Sequence, residues 1–369
     1  MSSAHALPAA GTALRRRGRV WRRAADLERV AGLLALAGLV VSGFVLGAGA
    51  AGQRLLFFVP AGRPGMPDWL AGPFSEFGVS LDAETGAQLL LVMCACYVVA
   101  LACARRLPMW AGLSAIGGLH LVFLLAPPIF SADVFGYIDY ARLGVVHGID
   151  PYLRGAAAAP ADPVVPFVGW HDVPSPYGPL FTLASYALAP LSVAAALWTL
   201  KGVAALASLA GVALVWRIAA RRGHAPLPAA MFVGLNPLLV VYGVGGAHND
   251  MVLVVIMLAA VSFALARRPA GAGAAAVVAT GFKASGALLL PFLLAGSRDR
   301  RRTALGALAA GAVVTVAAVV AFGAQAGDFV RQIHSQQDLV AAYSLPNRVG
   351  IWLGYGGVTN GIRAVCLVV

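Results

Sequence analysis

Long apolar runs, separated by short polar or basic segments, make up most of the chain from residue 30 onward. A run of about 20 apolar residues is long enough to cross the hydrocarbon core of a membrane as a helix. The pattern predicts such helices at about 30–51, 86–104, 110–127, 197–218, 228–244, 251–266 and 304–323. We therefore expect an all-α, polytopic integral membrane protein with about eight transmembrane helices.

Two apolar segments do not fit a single straight crossing. Residues 178–218 are too long for one span, and residues 270–296 are interrupted by Lys283. A basic cluster ends the first segment, and basic clusters stand on both sides of the second. The positive-inside rule keeps such clusters in the cytoplasm. This favours an interfacial or re-entrant helix at 178–194 before one crossing at 197–218, and a broken hairpin over the second segment.

Arginines near the N-terminus predict the orientation of the chain. Those that crowd before the first apolar run are Arg15, Arg16, Arg17, Arg19, Arg22 and Arg23. They predict that residues 1–29 form a cytoplasmic basic segment and that residues 30–369 form the transmembrane domain. The polar segment 128–177, the longest between two spans, is then extracytoplasmic, and we expect the chemistry there.

Composition supports a location in the cell membrane and excludes other classes of protein. Of the 369 residues, 60% are hydrophobic and only 11% are charged, which excludes an ordinary soluble domain. The net charge of +12 would suggest nucleic acid in a soluble protein. Here the basic residues lie at the ends of apolar runs, so we expect contact with membrane lipids and no nucleic acid. The four cysteines lie in apolar runs and predict neither disulfides nor a zinc site.

A carboxylate at the start of the polar segment is the first candidate for chemistry. In a helix that begins there, Asp133, Tyr137 and Tyr140 would share one face. Asp139 and Arg142, three residues apart, could pair on another face. Asp133 could be a helix N-cap, or a base that removes a proton from a sugar hydroxyl at the membrane surface. The spacing does not choose between these two roles.

Turn-forming aromatic segments follow in the same polar stretch. Asp150 and Tyr152 belong to a Gly-Ile-Asp-Pro-Tyr sequence, and Tyr177 belongs to Pro-Ser-Pro-Tyr-Gly-Pro. Their prolines predict a rigid loop, which the residues alone slightly favour. The alternative is that the aromatic faces stack on a pyranose ring.

Polar residues among the later spans form a second candidate group. His248, Asn249 and Asp250 join two spans. Hydrogen bonding to a substrate, or to the loop above, is favoured over metal binding, because two ligands do not make a metal site. Lys283 lies in the middle of an apolar segment, where it could pair with a carboxylate or hold a lipid-linked phosphate. The phosphate is favoured. These residues predict no metal and no cofactor.

Three motifs occur in order over roughly residues 110–300, and together they are more specific than any one alone. They are Pro127–Tyr137 with Gly148–Tyr152 and Pro176–Leu180, then Leu235–Leu238 with Gly245–Asp250, and then Phe282–Ala284. This series resembles the GT-C glycosyltransferases, and more narrowly the actinobacterial polyprenol-phosphate-mannose-dependent α-mannosyltransferases of the lipomannan pathway. The resemblance implies a GT-C-type helix bundle whose first large external loop, 128–177, is catalytic.

The resemblance also implies a reaction. Mannose would move from a polyprenyl-phosphate donor to a glycolipid or lipoglycan acceptor on the outer face of the cell membrane. Asp133 matches the family's general base, and Lys283 or Arg142 would steady the departing phosphate. Inversion of a β-linked donor would give an α-glycoside. The residues themselves leave the sugar open, so arabinose and glucose stay as alternatives.

Two other functions fit the same residues less well. A transporter or flippase of a lipid-linked or small solute would use an intramembrane lysine and a broken helix, but the polar residues concentrate in one external loop. The other is a non-catalytic membrane partner that keeps the fold. The last apolar run reaches Val369 without a polar tail, which suggests a chain truncated at its C-terminus.

Overall fold

The computed structural model describes residues 9–52, 67–332 and 344–368, and over these residues it contains helices and turns but no strand. The α-helices are Ala9–Ala51, Asp68–Ala71, Ala83–Ala102, Met109–Leu125, Asp133–Val145, Pro179–Ser185, Val193–Arg221, Pro226–Gly234, Asp250–Leu265, Pro269–Phe282, Leu289–Gly296, Arg300–Phe322, Leu345–Trp352 and Asn360–Val368. A π-helix covers Leu239–Gly245. Short 3-10 segments cover Gly72–Phe77, Ala156–Ala158, Val165–Phe167, Tyr186–Leu188, Ala284–Leu288 and Gly323–Gly327.

Several helices are long and apolar enough to cross a membrane, which confirms the predicted all-α membrane class. By length and hydropathy they are Ala25–Ala51, Ala83–Ala102, Val193–Arg221 and Arg300–Phe322, or five spans among the described residues if one bent pair is added. The count of about eight spans and their orientation stay predictions. The polar segments 52–85 and 325–348, which the hydropathy pattern predicts to be external loops, lie partly outside the described residues, as do the first residues of the basic N-terminal segment.

Both interrupted segments contain a break in the helix, whereas their course relative to the membrane stays a prediction. Residues 178–194 contain only the short helix Pro179–Ser185 and one 3-10 turn, and a single 29-residue helix, here called the long helix, follows at Val193–Arg221. The segment 270–296 breaks at Lys283, whose backbone is extended. Its two ends, near Pro269 and Ser297, line one cleft, as a broken hairpin requires.

The span predicted at 228–244 is not one straight helix. It consists of Pro226–Gly234 and the π-helix Leu239–Gly245, bent by 59° relative to each other. Pro237 lies in the break, where its ring and missing N–H interrupt the helical hydrogen-bond pattern. The Asn236 side chain accepts a hydrogen bond from the Leu238 N–H at 3.0 Å, which closes the turn. The bend directs the end of the π-helix toward the loop 128–177.

Local sequence signals explain where many helices begin. Proline stands at the first turn of the helices starting at Pro179, Pro226 and Pro269, where its missing N–H costs nothing. Ser192 accepts a hydrogen bond from the Ala195 N–H at 3.2 Å and caps the long helix. Asp82 accepts one from the Thr85 N–H at 2.7 Å and caps the helix Ala83–Ala102.

Helix packing brings the loop 128–177 against the later helices. The helix Asp133–Val145, here called the loop helix, packs on Pro179–Ser185 and on the long helix. The helix Pro269–Phe282 packs closely on Arg300–Phe322, where a Cβ added at Gly273 would overlap the backbone of the other helix. Small residues allow this approach, as is common between membrane helices.

A fully buried lysine connects the long helix to this region. Lys201 has no exposed surface, and its Nζ donates a hydrogen bond to the carbonyl oxygen of Gly245 at 2.9 Å. The same oxygen accepts a hydrogen bond from the Ile129 N–H at 3.3 Å. The end of the π-helix, the long helix and the start of the external loop therefore meet at one carbonyl group.

Candidate functional site

Two hollows lie on either side of the loop helix. The first, here called the aromatic cleft, has a volume of about 200 Å³ and is lined by Ala132, Asp133, Gly136, Tyr140, Val168, Gly169, Trp170, Val173, Pro176 and Tyr177. The second, here called the apolar cavity, has a volume of about 230 Å³ and is lined by Tyr137, Phe181, Ala184, Ser185, Leu188, Leu200, Val203, Ala204, Ala247, His248, Asn249, Val252 and Phe282. One has a polar and aromatic wall, and the other is almost wholly apolar.

A row of charged side chains connects the two hollows, because Asp133 lines the aromatic cleft and His248 lines the apolar cavity. His248 Nδ1 is 3.7 Å from Asp133 Oδ2 and 4.0 Å from Asp250 Oδ2. Lys283 Nζ donates to both carboxylate oxygens of Asp250 at 2.8 Å. The sequence reasoning left Lys283 either a carboxylate or a phosphate as partner, and the structure gives it the carboxylate. The row joins three segments that are far apart in the chain.

Asp133 is the first residue of the loop helix and is 37% exposed. Its N–H donates to Ser131 Oγ at 3.1 Å, and its own carboxylate makes no capping hydrogen bond. The helix therefore begins without using this side chain. An exposed carboxylate at the wall of a cleft, beside a histidine, is available to accept a proton from a bound hydroxyl group.

Unusual backbone conformations occur shortly before two members of the charged row, Asp133 and His248. Phe130 and Ala247 have positive φ angles of 62° and 53°, in the left-handed region that side chains other than glycine rarely adopt. Phe130 stacks on Tyr242 with ring centroids 4.9 Å apart. Such strain persists where the surrounding structure holds it, and it often marks functional sites. Here it turns the chain just before Asp133 and His248.

Buried tyrosines support the row and stay neutral. Tyr137 Oη accepts the Asn249 N–H at 3.5 Å, and the Tyr137 and Tyr177 rings meet edge to face with centroids 5.0 Å apart. Tyr140 Oη donates to the Val173 carbonyl at 3.0 Å. Burial, and then the charge of Asp133, raises the pKa of Tyr137 far above its ordinary value. These phenols therefore cannot serve as bases near neutral pH, whereas a carboxylate can.

Asn249 has a buried side chain without a partner. It is 5% exposed, and neither its amide nitrogen nor its amide oxygen has a hydrogen bond among the described residues. An unpaired buried amide costs about 1–3 kcal/mol, so such a group usually has a ligand or water as its partner. The residue lines the apolar cavity, where its amide is one of the few polar groups in a mostly apolar wall.

Arg142 belongs to a separate cluster. Its Nε donates to both oxygens of Asp162 at 2.9 Å, and Nη1 donates to the carbonyls of Ala189 and Leu191. His147 Nε2 lies 2.7 Å from Asp162 Oδ2. The pair with Asp139 that the spacing suggested is thus replaced by one with Asp162. Arg142 fastens the loop helix to the loop and to the turn before the long helix.

Asp139 is a buried carboxyl group next to this cluster. It is 1% exposed, and its Oδ2 has no hydrogen-bond partner among the described residues. Burial, and then the negative charge of Asp162, raises the pKa of Asp139 to about 7. In the unfolded protein this carboxyl group has a pKa near its ordinary 3.8. Between about pH 4 and 7, the folded protein therefore binds one proton more than the unfolded protein. Stability should therefore fall as the pH rises through that range.

We expect Asp139→Asn to remove this pH dependence. Asparagine resembles the neutral acid, so the variant should come close to the wild type near pH 4 and be more stable at pH 8 by on the order of 2–4 kcal/mol. The measurement is thermal unfolding of both proteins in detergent at the two pH values. Equal unfolding curves of the two proteins at pH 8 would show that Asp139 does not titrate between the two pH values.

Asp150 and Tyr152 do not line either hollow. Asp150 Oδ1 accepts the Tyr152 N–H at 2.8 Å, and Tyr152 is fully buried with Oη donating to Thr182 Oγ1 at 2.9 Å. The Tyr152 ring packs against Phe322. These contacts match the rigid-loop interpretation, and the substrate-binding role predicted for both residues stays a prediction without a contact in its favour.

One residue of the cleft was missed in the sequence. Trp170 is 63% exposed and lines the aromatic cleft, as Asp133 does. A large exposed aromatic ring in a polar loop is a typical platform for a sugar ring, and a tryptophan within the predicted catalytic loop was the available signal. Tyr177 also lines the cleft, and its ring centroid lies 5.7 Å from Lys283 Nζ.

Comparison with known proteins gives a consistent result. The family model described as alpha-(1->6)-mannopyranosyltransferase, N-terminal domain, matches residues 29–299. The chain is 33% identical over 216 residues to alpha-(1->6)-mannopyranosyltransferase A of Mycobacterium tuberculosis, covering 54% of this chain and 40% of that protein. It is 32% identical over 179 residues to alpha-(1->6)-mannopyranosyltransferase A of Corynebacterium glutamicum, covering 46% and 36%.

A further alpha-(1->6)-mannopyranosyltransferase of Mycobacterium tuberculosis is 37% identical over 157 residues, which cover 39% of this chain and 26% of that protein. The aligned parts thus span 26% to 40% of the length of these curated relatives. No solved structure matches the chain significantly.

Proposed function

Because the chain belongs to the alpha-(1->6)-mannopyranosyltransferase family, we propose that it is a membrane mannosyltransferase. In this proposal, mannose moves from a polyprenyl-phosphate donor to a glycolipid or lipoglycan acceptor on the outer face of the cell membrane. The observation that carries the proposal is the charged row of Asp133, His248, Asp250 and Lys283, which lies between a polar cleft and an apolar cavity.

The two hollows suit the two substrates. The aromatic cleft has Trp170 and Tyr177 in its walls and suits the mannose residues of the acceptor. The apolar cavity suits the isoprenoid units next to the donor phosphate, and Asn249 offers its unpaired amide there to an oxygen of the donor. The donor sugar then lies at the junction of the hollows, beside Asp133 and His248.

The proposed reaction is a single displacement at the anomeric carbon. Asp133 takes the proton of the acceptor hydroxyl, and that oxygen forms a bond to the anomeric carbon. The bond from this carbon to the phosphate oxygen breaks, and polyprenyl phosphate leaves with the electron pair. A β-linked mannose is thereby inverted to an α-mannoside.

Lys283 is the cation proposed for the leaving phosphate. It is 30% exposed and held by Asp250, so the ammonium group is fixed beside the junction before substrate binds. Preorganised charge of this kind stabilises a transition state without reorganisation. Arg142 is less suited, because Asp162 and two carbonyl groups already occupy its guanidinium. Asp250 and His248 would position Lys283 and Asp133 respectively.

The same geometry favours transfer over transport. The transporter alternative depended on an isolated lysine in the middle of a span. The structure instead pairs Lys283 with Asp250, at the end of one helix and the start of another, next to the external loop. The charged groups thus gather beside the loop and not along a path through the bundle.

A donor comparison tests the proposal. Proteoliposomes containing the chain would receive radiolabelled polyprenyl-phosphate mannose or GDP-mannose, with an alkyl α-mannoside as acceptor. We expect a labelled product from the lipid donor alone, with an α anomeric linkage by NMR. Transfer from GDP-mannose at the same rate would contradict the lipid donor, and a lipid-linked arabinose or glucose used in its place would contradict the sugar. Empty liposomes are the control.

A further inference from the structure

A second cleft lies at the far end of the helices that form the site. The helix Asp250–Leu265 begins in the charged row, and Leu265 lines this cleft. Fifteen residues at 1.5 Å each place the two about 22 Å apart. The helix Pro269–Phe282 likewise joins the cleft, at Pro269, to the row at its other end. The cleft, here called the basic cleft, has a volume of about 560 Å³ and is separate from the proposed active site.

Arginine side chains from three segments converge on this cleft. Arg222 follows the long helix, Arg267 lies between two helices, and Arg298 and Arg302 flank the start of Arg300–Phe322. Asp299 pairs with Arg302, with 3.3 Å between Oδ2 and Nε. Over the described ranges, no carboxylate forms an ion pair with the other three arginines. The cleft therefore has a net positive charge that the folded protein leaves uncompensated.

The backbone at Arg267 supports a role for its side chain. Its φ angle is 58°, in the left-handed region, where the chain turns after the helix Asp250–Leu265. Glycine would adopt this conformation without strain, whereas an arginine costs about 1 kcal/mol or more. The strained position thus holds a guanidinium group at the wall of the cleft, where a glycine would have served the turn alone.

Apolar side chains form the rest of the wall. Phe292 is 75% exposed, and Leu265 is 45% exposed. Guanidinium groups bind phosphate oxygens through paired hydrogen bonds, and acyl chains pack on exposed apolar rings. Basic pockets between membrane helices are known to hold lipid headgroups. We propose that the basic cleft binds a phosphate group carried by an anionic membrane phospholipid.

Binding of a fluorescent short-chain phosphatidylglycerol to the purified chain in neutral detergent tests this. The variant combines Arg222→Gln, Arg267→Gln and Arg298→Gln, and we expect its affinity to be at least about tenfold weaker, because three charge-assisted contacts are lost. The matched control combines Arg217→Gln, Arg221→Gln and Arg268→Gln, which removes the same charge from neighbouring positions that do not line the cleft. Its affinity should stay within about twofold of the wild type.

The single variant Arg267→Gly keeps the test decisive if the triple variant does not fold. It relieves the backbone strain, so the protein should unfold at the same or a higher temperature while binding the lipid less tightly. Equal weakening in both triple variants, or equal binding of phosphatidylcholine, would overturn the proposal. Displacement of the lipid by millimolar inorganic phosphate would show that the cleft binds phosphate, but it would overturn the proposal that a phospholipid is the ligand.

Discussion

Replacing Asp133 with asparagine is expected to lower mannosyl transfer by at least about 100-fold, with little change in membrane insertion or in donor binding. The amide has nearly the same shape as the carboxylate but cannot take the proton of the acceptor hydroxyl. The helix should still begin at residue 133, because the carboxylate makes no capping hydrogen bond. The proposed base is thus separable from the fold.

The measurement compares initial transfer rates of wild type and Asp133→Asn at equal amounts of inserted protein. Asp172→Asn is the matched control, since Asp172 is an exposed carboxylate of the same loop that does not line the aromatic cleft. Its rate should stay within about twofold of the wild type. Equal rates in all three proteins would exclude Asp133 as the base and move attention to Asp250, the next carboxylate in the row.

Gly178→Ala is expected to damage both stability and transfer. A Cβ at this position would overlap the carbonyl group of Gly281, and the Gly178 N–H already donates to the Phe282 carbonyl at 3.0 Å. Backbone atoms cannot yield as a flexible side chain can, so the two segments must separate, at a cost of about 1–3 kcal/mol. That separation moves Tyr177 away from Lys283, which disturbs the charged row.

The matched control is Gly202→Ala, in the long helix. An added Cβ there meets no atom within 4 Å, and alanine favours a helix by up to about 1 kcal/mol over glycine. Thermal unfolding in detergent should therefore show a lower Tm for Gly178→Ala and an unchanged or higher Tm for the control. A Gly178→Ala variant that keeps both its Tm and its transfer rate would show that the contact can relax without consequence.

The helices of this protein follow from signals close in sequence. Hydropathy and proline predict most boundaries, because apolar length and missing N–H groups act within a few residues. The break at Lys283 could also be predicted, since an uncompensated charge in an apolar run requires special surroundings. The bend at Pro237 was the exception: an apolar run conceals it, although proline within a run is the usual cause of such a bend.

Contacts between distant segments were harder to predict. Asp250 and Lys283 are 33 residues apart, and each was recognised as important without its partner. Spacing within the loop helix suggested Asp139 for Arg142, but the guanidinium reaches Asp162, in a loop with no periodic pattern. Trp170 belongs to no periodic pattern or motif in the sequence, so its place in the aromatic cleft was not predicted. Such pairs depend on how helices pack, which local spacing does not encode.

The buried amino group of Lys201 has a consequence for how the chain is made. Inserted alone, the long helix would expose this polar group to hydrocarbon, and a lysine there costs up to about 2.5–3.5 kcal/mol, the value for a helix centre. Its hydrogen-bond acceptor, the Gly245 carbonyl, is synthesised 44 residues later. Lys201 therefore lacks this hydrogen bond in the membrane until the π-helix has been synthesised and has packed against the long helix. In a nascent chain that ends before Gly245, the Lys201 side chain lacks the hydrogen-bond acceptor that it has in the finished protein.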